Sequence, residues 1–202
     1  MLALFGLGAC TGSLFRSHAP ASITYLLSVE PRAGAAAEIP ADLTVLMPRV
    51  RTGLDTDRIA VLYPDRRLDY FAAARWSGPL DETLQDLLLQ AFRTDARFRN
   101  VHTDTSAFVA GYWLEVDVVD FQAEYAASSG GAPPTVHVHL LGRVGNAGDR
   151  RVIGQFEAEA RQAAADDRLT GIVAAFNQAA NAALADLVAG GVAALASAPD
   201  AR

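Results

Sequence analysis

His137 and His139 stand two apart in the run Val136-His137-Val138-His139-Leu140. Residues two apart on a strand point to one face, so the two imidazoles could chelate a metal ion. Zinc sites draw on about three or four ligands. No third ligand lies close in sequence, so a solvated polar face is the preferred reading and no metal is expected. Asp55 and Asp57 flank Thr56 and could take a cation, but the spacing does not continue as a calcium loop would. Capping of a local turn is the better use for them. Ser106, Ser128 and Ser129 lack the glycines of a nucleophile elbow. The glycines of Gly6-Leu7-Gly8 and Gly130-Gly131 lack the strand, loop and helix of a phosphate cradle. Acid, base and nucleophile do not cluster. The chain therefore reads as a non-enzyme, with no catalytic residues and no cofactor.

The single cysteine, Cys10, closes the apolar run from Met1 to Ala9. Such a run, ending in small residues, has the character of a signal-peptide core before its cleavage point. The segment Leu7-Gly8-Ala9-Cys10 resembles the lipobox of bacterial lipoproteins, in which the cysteine is acylated on sulfur and becomes the new N-terminus. Residues 1–9 then read as a signal remnant and residues 10–22 as a lipidated N-terminus and flexible tether. Palmitate-type chains contribute about 0.8 kcal/mol per buried CH₂, and two or more of them hold a protein stably on a membrane. The charge of the chain offers no alternative attachment: a formal net charge of -6 gives no basic footprint for nucleic acid or anionic lipid. The long apolar segment from Ile172 to Ala198 is interrupted by Asn177, Gln178, Asn181 and Asp186, which are costly inside lipid.

Tyr63, Tyr70, Phe71 and Trp76 occur together with Arg66, Arg67 and Arg75. Tyr, Trp and Arg are the usual anchors of protein interfaces, and a hairpin packing its aromatics on the core explains the group equally well.

The elements that would position these residues follow from periodicity. Strands are expected at 23–29, 43–48, 58–63 and 68–72, the last two forming a hairpin around Pro64-Asp65-Arg66. Gly78 and Pro79 open a helix with Asp81 and Glu82 in its first turn. Leu80, Leu84, Leu87, Leu88, Ala91 and Phe92 make its apolar stripe. Leu114, Val116 and Val118 then alternate with Trp113, Glu115 and Asp117. The alternation slips at Val118-Val119, which a β-bulge would explain. Strands carrying His137/His139 and covering 152–160 follow, and a long helix over 164–195 closes the chain, weakened or ended by Gly190-Gly191. The expected fold is α+β: a mainly antiparallel sheet with two main helices packed on one face. Residues 23–198 make one domain, and 199–202 a tail.

The stretch from Leu54 to Val61, then Leu68-Asp69-Tyr70-Phe71, Arg75-Trp76 and Pro79-Leu80, resembles the ABC-type transport auxiliary lipoprotein family. So does Val173-Ala174-Ala175-Phe176-Asn177-Gln178-Ala179 near the C-terminus. The resemblance implies a lipoprotein that faces the periplasm and is anchored at the outer membrane. It implies work beside an ABC permease and ATPase and an MCE-domain protein in lipid transport, with docking of that assembly as a ring of copies. The block's Tyr70, Arg75, Trp76 and Pro79 become candidate partner-binding residues, and Trp76→Ala is expected to weaken partner capture without unfolding the domain. A competing reading is a lipid-binding groove between the last helix and the sheet, lined by Phe176, Leu184 and Val188. A third, less favoured, is a hydrolase or metal enzyme in which His137 and His139 converge with a carboxylate.

Overall fold

The computed structural model describes residues 22–30, 39–95, 97–127 and 132–197. Cys10, the tether up to residue 21 and the tail 199–202 lie outside the described residues. The order of elements is β1 (Ile23–Tyr25), β2 (Ile39–Val45), β3 (Arg49–Val50), β4 (Arg58–Leu62), β5 (Leu68–Trp76), α1 (Leu80–Thr94), β6 (Phe98–Thr103), β7 (Tyr112–Glu124), β8 (Thr135–Asn146), β9 (Val152–Ala163) and α2 (Leu169–Ala196).

The strand β7 organises the sheet. One of its edges pairs with β8 along its whole length, and β8 pairs with β9, both antiparallel. Its other edge is shared by three short strands in succession. These are β2 against Tyr112–Leu114, β3 against Asp117–Val118 and β4 against Ala123–Glu124, all parallel to it. Beyond them β6 pairs with β2, and β5 pairs with β4 and then β1. Among the described residues five of the eight pairings are parallel, so the expectation of a mainly antiparallel sheet is corrected to a mixed sheet of nine described strands. The hairpins were readable because short turns force antiparallel neighbours. The parallel contacts join strands far apart in the chain, which no local pattern announces. β6, with only Phe98 and Val101 buried, has too little alternation to be read as a strand.

Both helices share one core with the inner face of the sheet. The stripe of α1 is buried as its spacing requires, and Pro79 stands at its N-cap. Along α2 the buried positions include Ile172, Phe176, Ala179, Ala183, Leu187 and Leu195. The helix is long and apolar enough to cross a membrane by length and composition, yet here it is the core helix. The two asparagines that interrupt its apolar run tie down the chain of residues 28–30. Asn177 Oδ1 accepts from Ser28 N at 2.8 Å and Asn181 Oδ1 from Glu30 N at 2.7 Å, while Asn181 Nδ2 donates to Ser28 O at 2.8 Å.

Gly190 and Gly191 do not end α2, which continues to Ala196. A Cβ at Gly190 would come within 2.6 Å of the Phe156 ring, and one at Gly142 within 2.2 Å of the same ring. The pair costs helix propensity of about 1 kcal/mol per glycine. What it provides is a seat for Phe156 between helix and sheet.

The bulge expected in β7 is present: Val118 faces Leu140, and Asp120 faces His139, leaving Val119 as the extra residue. Before it, Leu114, Val116 and Val118 point inward; after it, Phe121 and Ala123 do. One inserted residue exchanges the faces of everything beyond it. The backbone of Val119 is not left idle, because Arg51 N donates to Val118 O at 3.2 Å and Arg51 Nη1 to Val119 O at 3.3 Å.

Candidate functional site

Of the four residues marked out for partner binding, Trp76 is only 1% exposed. Strand alternation in β5 turns Ala74 and Trp76 inward and Arg75 outward. The indole meets Phe176 and Phe121 edge-to-face at 5.2 and 6.1 Å, so it is a core residue and cannot present its ring to a partner. The expected surface role of Trp76 is corrected: Trp76→Ala removes a core ring, not a surface contact. Tyr70 is half-buried, donates its hydroxyl to Gly53 O at 2.7 Å and carries the Arg58 guanidinium 4.0 Å above its ring. Arg75 is exposed, 3.6 Å from Asp57 and donating to Ser22 Oγ at 3.0 Å. Pro79 is exposed at the start of α1. Asp57 is engaged by Arg75, and Asp55 is exposed.

Phe176, Leu184 and Val188 are 0%, 2% and 6% exposed within the common core. The groove they were to line is filled by the fold, and the lipid-groove reading falls with it.

The polar chemistry gathers instead on the outer face of β7, β8 and β9, beyond the bulge. The preferred reading of His137 and His139 as a solvated pair is corrected: His137 is 5% exposed, and the two rings stack 6.1 Å apart. Carboxylates come from the neighbouring strands. His137 Nδ1 lies 3.0 Å from Glu124 Oε1 and His137 Nε2 lies 2.9 Å from Glu159 Oε1. His139 Nε2 is 2.7 Å from Glu157 Oε1, but out of line with it, so that nitrogen is buried without a directed hydrogen bond. Both Nδ1 atoms face one oxygen, Asp120 Oδ2, at 3.9 Å from His137 and 3.7 Å from His139. The other oxygen, Asp120 Oδ1, is held by Gln122 Nε2 at 3.0 Å and Arg51 Nη1 at 3.3 Å. Gln122, 3% exposed, also donates to Glu124 at 3.0 Å.

Burial works to raise the Glu124 carboxyl, but hydrogen bonds from Gln122, His137 and Arg161 outweigh it and hold the group below the usual carboxylate range. Glu159 is held down first by its hydrogen bond with His137. A depression of about 410 Å³ opens beside the cluster, its lining including Arg51, Arg66, Asp120, Glu124, His137 and Arg161.

Sequence reasoning passed over Asp120, Glu124, Glu157 and Glu159. The signal was there as polar residues at period two in three strands: Asp120-x-Gln122-x-Glu124, His137-x-His139 and Glu157-x-Glu159-x-Arg161. Which strand lies beside which was missing.

No curated protein matches the chain closely in sequence. Among solved structures, the fold is similar to that of protein XCC0632 from Xanthomonas campestris. That likeness has a TM-score of 0.74 at 23% identity and covers 86% of this chain and 96% of that one. It is more loosely similar to PelC from Paraburkholderia phytofirmans, crystallised as a dodecamer, with a TM-score of 0.50 at 12% identity, covering 81% and 96%. The sequence itself matches the family described as the ABC-type transport auxiliary lipoprotein component over residues 25–189. That span takes in the hairpin block, the bulged strand and most of the closing helix, and the chain belongs to this family.

Proposed function

We propose that the protein is a non-catalytic lipoprotein of the bacterial envelope, serving lipid transport beside an ABC permease and ATPase and an MCE-domain protein. Acylated Cys10 anchors it in the outer membrane, and the folded domain faces the periplasm on the tether that follows. The observation that carries this reading is the family match over residues 25–189, with Cys10 in its lipobox-like setting upstream. The dodecamer of the structurally similar PelC supports a ring of copies as the docking form. With Trp76 in the core, Tyr70, Arg75 and Pro79 remain as the partner-facing residues of the block.

The test is palmitate labelling and membrane fractionation of wild type and Cys10→Ala, each expressed behind a full signal sequence. Label and outer-membrane location are expected in the wild type and lost together in the variant. An unlabelled, soluble wild type would remove the anchor. Capture of an MCE-domain protein by Arg75→Glu, whose side chain is exposed, then examines the docking surface: undiminished capture takes Arg75 out of it.

A further inference from the structure

We propose that Asp120, His137 and His139 form a binding site for a divalent transition-metal ion of the zinc class, with Glu124 completing the ligand set. Each offers a ligand atom, and the three atoms lie within 4.8 Å of one another. Zinc bonds of about 2.0–2.1 Å set neighbouring ligand atoms about 3.3 Å apart in a tetrahedron. The 3.7 and 3.9 Å from Asp120 Oδ2 to the two Nδ1 atoms therefore need to close by only about half an ångström. Two imidazoles and two carboxylates form the mixed nitrogen and oxygen donor set that suits zinc.

The surroundings are arranged as around known metal ligands. A ligating histidine commonly gives its second nitrogen to a carboxylate, which fixes the ring and raises its basicity. Here His137 Nε2 has such a partner in Glu159 at 2.9 Å, and Glu157 lies 2.7 Å from His139 Nε2 but out of line with it, so that ring has to turn to complete the bond. Asp120 is oriented in the same way, with Gln122 and Arg51 on Oδ1 so that Oδ2 is turned to the histidines. The bulge at Val119 is what brings Asp120 opposite His139. Bulges recur where a strand must re-aim a side chain. An ion here would also clamp the bulged part of β7 to β8 on the face that neither helix covers.

One cation already touches the site. Arg161 Nη2 is 3.1 Å from His137 Nδ1 and its Nη1 is 2.9 Å from Glu124 Oε2. Its side chain is half-exposed on the outer strand β9, so it can swing into solvent as an ion takes Nδ1. Arg161 thus competes with the metal, and removing its charge is expected to tighten binding.

The experiment is calorimetric titration of Zn²⁺ into the untagged full chain carrying Cys10→Ser, which removes the thiol as a rival ligand. Metal content by mass spectrometry and Tm are measured on the same samples. A single Zn²⁺ per chain and a raised Tm are expected. His139→Gln and Asp120→Asn, both on the outer face, are expected to stay folded and to weaken binding by about a hundredfold or more, beyond the effect of losing an outer-shell partner. Glu157→Gln should cost about tenfold. Arg161→Gln should tighten binding by about tenfold, as removal of a competing like charge allows. The absorption spectrum with Co²⁺ should report nitrogen and oxygen ligation in the wild type and vanish in His139→Gln. Binding of less than one Zn²⁺ per chain, or full binding by folded His139→Gln and Asp120→Asn, would overturn the proposal. So would weaker binding in Arg161→Gln.

Discussion

The two faces of β7, β8 and β9 are built from alternate residues of the same three strands and have little else in common. The inner face is sealed under the helices, with Leu114, Val116, Val118, Phe121, Val138 and Leu140 each at most 2% exposed. The outer face carries a band of Glu115, Asp117 and Arg143, joined by Arg49 of β3, on one side of the bulge and the histidine–carboxylate cluster on the other. Close packing makes the first intolerant of any change in volume. Partly solvated charges make the second cheap to alter and free to take on a task. The difference explains why the core could be read from apolar spacing while the cluster could not.

The comparison breaks first, if it breaks, at Trp76. Its truncation to Ala should cost about 3–5 kcal/mol, as large aromatic deletions from a core do. Urea denaturation followed by circular dichroism will show it, and a loss under about 1 kcal/mol would mean that Trp76 is not the packed residue described. Next comes Gly142→Ala. A Cβ there would sit 2.2 Å from the Phe156 ring and 2.7 Å from Leu187, and overpacking of this kind costs about 1–3 kcal/mol. A neutral result by the same measurement would mean that Phe156 can leave its seat, and that the helix-to-sheet contact is looser than the rest of the inner face.

The smallest effect belongs to the outer face. Asp117 is held below its usual range first by its hydrogen bond to Arg49, which together with Arg143 outweighs burial. A carboxylate depressed on folding contributes stability above its unfolded value, about 3.9, and that contribution is lost as pH falls through the folded value. Asp117→Asn should therefore cost about 1 kcal/mol or less at pH 7, the usual worth of an exposed pair. The difference from wild type should shrink at an acid pH below that unfolded value. Urea midpoints at the two pH values measure it. A difference that persists in acid would show that Asp117 acts by packing and not by charge.

The helix stripe of α1, the hairpin of β4 and β5 and the bulge at Val119 were legible because each is a local pattern whose period states its conformation. Trp76 was placed on the wrong side because its type suits an interface as well as a core. Its packing against Phe121 and Phe176, both far from it along the chain, settles which it is. Gly190-Gly191 looked like a helix end because the reason for tolerating the pair, the Phe156 ring, lies more than thirty residues earlier.

By itself the sequence determined which residues share a face, where β7 slips by one residue, and the anchor-like setting of Cys10. Those are properties of neighbours along the chain. The tertiary structure alone decided that β2, β3 and β4 run parallel to β7, that Trp76 closes the core, and that Asp120, Glu124, Glu157 and Glu159 meet His137 and His139. Strand partnership is set by burying one continuous apolar face against two helices, and that requirement belongs to the whole chain.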